Sequence, residues 1–299
     1  MRIYKAEEVS KMLLEFKCSN HRSIKEKVNF SLIAGSDNTS EELLKEFGNY
    51  RVLRSAVIYG ANGSGKSNFI SALSFMRDLV SNSINHQPGQ RVFQVCHKLS
   101  AEETPSEYSI QFVRNDIRYA YGFSVKQNLI QDEYLYYFPK GRQVKIFERD
   151  GMGVRPGDRY KGAFDVSISI LKDNRLFLSC AANYSNIKEI EEAFMFFNID
   201  LVIYNPEINN WTEYSIELMQ NNDMIKKVFV DVLRALGTGA KDVKVKLEKI
   251  KLADLPQELQ LPDALKGLLG TQEGNRIEAK IVYDQFEVDL MTEESAGVK

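Results

Sequence analysis

Apolar and polar positions change their period several times along this chain. Residues 12–17 read as a strand and 28–34 alternate (Val28, Phe30 and Leu32 on one side), which predicts two strands joined through a turn at Asn20-His21-Arg22-Ser23. Residues 35–50 are polar, with a short helical piece expected around 41–47. An apolar run at 56–59 predicts a buried strand. The period then becomes helical, with Phe69, Leu73, Met76 and Val80 on one face of a helix ending near Ser83. Segments 108–113, 117–126, 130–138 and 144–148 return to alternation between short polar turns, the pattern of an antiparallel meander. After a polar loop at 150–162, two helical stripes follow: Ile187, Ile190, Phe194 and Phe197, then Ile225, Phe229 and Val232, stopped at Leu236-Gly237. Val243, Val245 and Leu247 predict a strand, 253–274 loop and short helix, and 277–283 with 286–290 a hairpin turning at Asp284-Gln285.

Composition adds bounds. The chain has 299 residues, 43% hydrophobic and 27% charged, enough for one large domain or two ordinary ones with an adequate core. A net charge of −2 gives no support to a generally basic nucleic-acid binder and leaves a local basic face open. The meander's aromatics (Tyr119, Tyr121, Phe123, Tyr134, Tyr136, Tyr137, Phe138) fit a sheet core better than a base-stacking surface, because strands favour aromatics in any case. Cys18, Cys96 and Cys180 stand singly, as in a reduced, cytoplasmic protein, and no structural metal is expected from them and the three histidines. No apolar run approaches the ~20 residues of a membrane span. Residues 1–11 are read as an extension, with Met12 as the natural start.

The densest chemistry lies between the apolar run and the first long helix. Gly60-Ala61-Asn62-Gly63-Ser64-Gly65-Lys66-Ser67 fits the spacing G-x-x-x-x-G-K-[ST]. Gly60, Gly63 and Gly65 let the backbone turn tightly and bring its N–H groups against phosphate oxygens, with Asn62 and Ser64 between them. The helix start adds a positive end, Lys66 a charge for the β- and γ-phosphates, and the Ser67 hydroxyl a ligand for Mg²⁺. ATP and Mg²⁺ are therefore the expected ligands. The alternative is a glycine-rich turn that binds nothing.

Hydrolysis also needs an aspartate on the metal and a carboxylate that handles the water. Leu201-Val202-Ile203-Tyr204 leads only to Asn205-Pro206-Glu207. Asp231 follows Val228-Phe229-Val230 within a helical pattern. Ile281-Val282-Tyr283-Asp284-Gln285 comes closest, and reads better as a hairpin turn. No catalytic residue is assigned.

Residues 60–68, with Asn62 and the trailing Asn68, resemble the loop of SMC/RecF-type ABC ATPases. Phe16-Lys17-Cys18-Ser19-Asn20-His21-Arg22-Ser23-Ile24 is similar to their N-terminal strand and turn, with His21 where an aromatic usually stands. More narrowly, residues 12–17, Phe177-Leu178-Ser179-Cys180-Ala181-Ala182 and Glu293-Glu294-Ser295-Ala296-Gly297 resemble the AAA-type, ABC-like ATPases of bacterial anti-phage and abortive-infection systems. The resemblance implies an α/β P-loop fold: an ABC-head-like mixed sheet with an antiparallel meander and a helical insertion. It divides the chain into an ATPase lobe (12–160), a mainly helical lobe (161–275) and a hairpin (276–299) leading to the signature sequence. It also implies that Arg22 reaches the nucleotide, and that Ser295 and Gly297 face the γ-phosphate held by a partner subunit. Ala296 and Val298 stand where the family has Asp and Thr, which weakens that contact. The remaining catalytic elements of the family follow the signature and would lie beyond Lys299.

The implied activity is ATP binding, with hydrolysis in a complete protein, by a head that forms a homodimer around ATP and drives an effector such as a nuclease. Two other readings stay open. One is an ATP-gated regulatory module without turnover. The other is a small-molecule P-loop kinase, whose substrate lid and acid are not found. A GTPase lacks its N-K-x-D-type base-reading sequence here.

Overall fold

The computed structural model describes residues 10–35, 41–203, 210–251, 273–290 and 293. The chain is α/β and falls into two compact units, Met1–Ile203 and Tyr204–Lys299.

In the first unit, β1 (Lys11–Ser19) and β2 (Val28–Ser31) are followed by a hairpin of β3 (Leu44–Phe47) and β4 (Tyr50–Leu53), then by helix α1 (Lys66–Asn82). The meander is β5 (Ser106–Arg114), β6 (Ile117–Lys126), β7 (Leu129–Phe138), β8 (Val144–Asp150) and β9 (Gly153–Pro156). Helices α2 (Asp165–Ser169), α3 (Phe177–Tyr184) and α4 (Lys188–Met195) close the unit, α4 running into a π-helical turn, Phe196–Asp200. The sheet order is β2-β1-β5-β6-β7-β8-β9, and every neighbouring pair is antiparallel.

Alternation explains the layers. Phe16, Tyr108, Ile110, Tyr121, Phe123 and Leu135 point to one face and are buried there with Phe69, Ala72, Leu73 and Met76 of α1. Phe69 meets Phe16 edge-on at 5.4 Å, and Phe75 lies 5.0 Å from Tyr108. Each such ring contributes about 1.5–3 kcal/mol by leaving water, so α1 is held to the sheet along its length. On the other face the β3–β4 hairpin covers Leu14 and Val113 with Val52, flanked by Phe47 and Tyr50.

Two expectations fail here. The helical piece at 41–47 is a 3-10 turn, Glu41–Leu43, followed by strand β3. Leu44, Lys45 and Glu46 favour helix locally, but pairing with β4 from Leu44↔Leu53 to Phe47↔Tyr50 overrides that preference. The buried strand at 56–59 is neither buried nor a strand: Val57 is 84% and Tyr59 91% exposed, and 55–60 joins no sheet among the described residues. Apolar β-formers are not enough without a neighbour to pair with.

The second unit holds α5 (Asn210–Asn221), α6 (Asp223–Ala235), β10 (Asp242–Lys251), β11 (Glu273–Val282) and β12 (Glu287–Asp289). Its three strands are antiparallel in the order β10-β11-β12. The Asn222 side chain caps α6 by accepting from the N–H groups of Met224 and Ile225. Gly237, at φ +75°, ends it. Ile216, Met219, Val230, Leu233, Val243 and Ile281 form a separate core. The expected loop at 253–274 lies outside the described residues but for its last two positions, Glu273 and Gly274, which open β11.

Candidate nucleotide-binding site

The loop at 60–65 hangs between the exposed approach and α1. Gly63 (φ +80°) and Gly65 (φ +95°) adopt the left-handed conformation that glycine alone takes without strain. Gly65 opens α1 with no side-chain cap. The backbone N–H groups of Gly63, Gly65, Lys66, Ser67 and Asn68 find no acceptor among the described residues. Ser64 N–H is the exception, donating to Ala61 O at 3.2 Å. A helix start leaves such donors unsatisfied, and clustered around one lysine they form a nest for an anion.

Lys66 folds over the loop. Its Nζ donates to Gly60 O at 2.8 Å and to Ala61 O at 2.9 Å. An ammonium has three protons, so one is left for a ligand. Gly60 lies close to the Ser64 side chain, where an added Cβ would meet Oγ at 2.9 Å. Asn62 and Ser67 are exposed. Asn68 Nδ2 donates to Ser23 Oγ at 2.7 Å. Beside the loop opens a cleft of about 470 Å³, lined by Ser64, Gly65, Lys66, Ile58 and Tyr59 on one side and by residues 23–30 on the other.

The turn that forms the far wall is held by polar groups that sequence reasoning missed. His21 is buried, with Nδ1 2.8 Å from Tyr108 Oη and Nε2 3.3 Å from Ser71 Oγ. Burial, with the Arg22 charge beside it, lowers the His21 pKa to about 4, so the ring is neutral at pH 7. The buried Asn20 accepts from His97 N–H and donates to Thr104 O. Arg22 N–H donates to Val95 O at 2.8 Å, and both Asn20 and Arg22 have φ +51°. Asn and His among polar residues flanking an aliphatic strand were the available signal. Arg22 itself is exposed and does not line the cleft. Its neighbour Ser23 does.

The remaining residues singled out by sequence belong to the second unit or lie outside the described residues. Ser295 and Gly297 lie outside the described residues, as do Asn205, Pro206 and Glu207. Asp284 sits in the turn between β11 and β12, 3.3 Å from Lys241 Nζ. Asp231 is exposed on α6 beside Arg234.

Comparisons with known proteins bear on the same segment. Residues 55–174 match the family model described as "AAA domain, putative AbiEii toxin, Type IV TA system". That match takes in the loop, α1 and the meander, so over this segment the chain is similar to AAA domains. No curated protein matches the chain. Solved structures similar to it include the recombination mediator protein RecF-ATP in the RecFOR pathway, at 19% identity and TM-score 0.33, covering 97% of this chain and 78% of that one. Another is RecF-ATPrS of the same pathway, at 15% identity and TM-score 0.32, covering 91% and 74%. Among the described residues no helix is long and apolar enough to cross a membrane.

Proposed function

We propose that this chain binds ATP with Mg²⁺ at the loop 60–68 and acts as the head of an ABC-type ATPase. The observation that carries the reading is the set of N–H groups without acceptors among the described residues, those of Gly63 and of Gly65 to Asn68, beside Lys66 with one proton unspent. These donors suit phosphate oxygens, and the adjacent cleft has the volume and half-apolar walls of a small-ligand site. Ser67 would hold Mg²⁺, which supplies charge neutralisation at the phosphates when bound. Gly60, Asn62 and Ser64 shape the cradle, and Lys66 orients and neutralises the phosphates. Arg22 serves from the flank of the cleft.

Dimerisation extends the same proposal. Two copies would enclose two ATP molecules, each loop facing Ser295 and Gly297 of the other, so that ATP favours the closed pair by binding it from both sides. The output would pass to an effector protein in anti-phage defence, and the matched family's description, which names a putative toxin of a type IV TA system, is what supports an effector output. Glu26 alone among the cleft-lining residues carries a carboxylate, which favours binding over turnover for the chain by itself.

Calorimetry with ATP and Mg²⁺ tests the core claim. Saturable binding by the wild type, abolished in Lys66→Ala, is expected. No binding by the wild type refutes it. Sedimentation with and without ATP tests the dimer, and robust steady-state hydrolysis would overturn the preference for binding over turnover.

A further inference from the structure

We infer that Ser23, on the turn opposite the loop, is a further phosphate donor of this site, and that Asn68 acts by orienting it. The inference rests on the nucleotide reading above and adds a residue outside the loop to it.

The argument is a count of protons. A serine hydroxyl has one proton and two lone pairs. Ser23 Oγ accepts from Asn68 Nδ2 at 2.7 Å, which fills one lone pair and fixes the oxygen. Among the described residues the hydroxyl proton has no acceptor. The oxygen sits against the loop, 3.1 Å from where a Cβ on Gly65 would be, next to the N–H groups of Gly65 and Lys66 that also lack acceptors. Ser23 lines the cleft with Ser64, Gly65 and Lys66 and is exposed to it. A free hydroxyl proton beside a nest of free amides is a donor for the same anion.

The rest of the turn makes this placement rigid. Asn68 and Ser71 are three residues apart and therefore share one face of α1. Ser23 bonds the first and His21 the second, so the turn is fastened along α1 at two points. Arg22 between them is pinned through its backbone to Val95. A left-handed φ at both Asn20 and Arg22 is strain that the network of His21, Tyr108 and Ser106 sustains. Asn68 is then a positioning residue: its amide is spent on Ser23.

The test is calorimetry of ATP and ADP with Mg²⁺ on the whole chain. Ser23→Ala is expected to weaken both nucleotides roughly ten- to hundredfold, the range for a hydrogen bond to a charged group. Ser23→Thr, which keeps the hydroxyl, restores binding to within a few-fold. Asn68→Ala weakens binding in the same direction, and Ser23→Ala/Asn68→Ala is no weaker than Ser23→Ala alone, because Asn68 acts through Ser23. Ser23→Ala and Asn68→Ala each lose the one exposed hydrogen bond they share, so their melting temperatures fall alike by only a few degrees, and the loss of affinity persists well below them, which destabilisation alone would not produce. Wild-type binding with Ser23→Ala equal to it overturns the role of Ser23 and leaves the nucleotide site standing. Additive losses in the double variant overturn the positioning role of Asn68. A wild type that binds neither nucleotide overturns the site and this inference together.

Discussion

Removing the Glu133 carboxylate should unlock the first unit from the inside. Glu133 and Arg149 have side chains with no exposure, on neighbouring strands β7 and β8. Glu133 accepts from Phe177 N–H at 2.5 Å, Leu178 N–H at 2.8 Å, Tyr121 Oη at 3.0 Å and Arg149 at 3.3 Å. It therefore caps the start of α3 from a strand. Burial pushes its carboxyl above the ordinary value, while Arg149 and the two amides pull it back. Arg149 also donates to the carbonyls of Gly151, Lys172 and Arg175. In Glu133→Ala the guanidinium stays buried without its counter-charge, at a cost of about 3–5 kcal/mol. The lost cap adds about 1 kcal/mol. The terms overlap, so about 4–6 kcal/mol is expected, a large part of a typical domain's ~5–15 kcal/mol. Arg149→Met should cost less than Glu133→Ala, because Glu133 keeps three donors. Hydrogen exchange reads this directly: amides of β7 and α3 lose protection in Glu133→Ala, while those of α6 in the second unit do not. A change in α3 worth under about 1 kcal/mol would refute the reasoning, since a buried guanidinium cannot lose its partner so cheaply.

Three further outcomes follow from the same geometry. His21 has a folded-state pKa near 4, below the ordinary 6.5, so its contribution is intact above pH 6.5 and is lost as pH falls toward 4; the loss is about 3 kcal/mol, and urea midpoints at pH 7 and pH 4.5 should draw together in His21→Gln if the residue is responsible. Gly65→Ala forces φ +95° on a residue with a Cβ placed 3.1 Å from Ser23 Oγ, which should cost about 1–3 kcal/mol and abolish ATP binding; unchanged calorimetric affinity would count against the loop geometry. Asn222→Ala removes the cap that serves Met224 and Ile225 and should lower the protection of α6 amides by about 1 kcal/mol while leaving α1 unaffected.

How far each feature could be read from sequence depends on how local its cause is. The meander was legible because one face of each strand is buried, so alternation in 117–126 or 130–138 reports the layer directly. The loop was legible because its donors come from consecutive residues. The Glu133 network was not, since its partners stand 12, 16, 44 and 45 residues away. One sign was present: Glu133 has the same parity on β7 as Leu135 and Tyr137, so an acid pointed into the core. Ser23 was hidden for the same reason, being 45 residues from Asn68.

The misread strand at 56–59 shows what organises the cradle. An apolar lead-in, a glycine loop and a helix suggest that the strand fixes the loop from the sheet. Here the lead-in is exposed and unpaired among the described residues, yet Gly63 and Gly65 hold their left-handed turns and the amides from Gly65 to Asn68 stay without acceptors. The restraint must come from the other sides. It comes from α1, whose Phe69, Ala72, Leu73 and Met76 are buried against the sheet. It comes also from the turn fastened to α1 at Asn68 and Ser71. The position of the phosphate cradle is thus set by helix packing and by one polar turn, which is why the residues of that turn, rather than the apolar run, are where substitutions should change how a nucleotide is held.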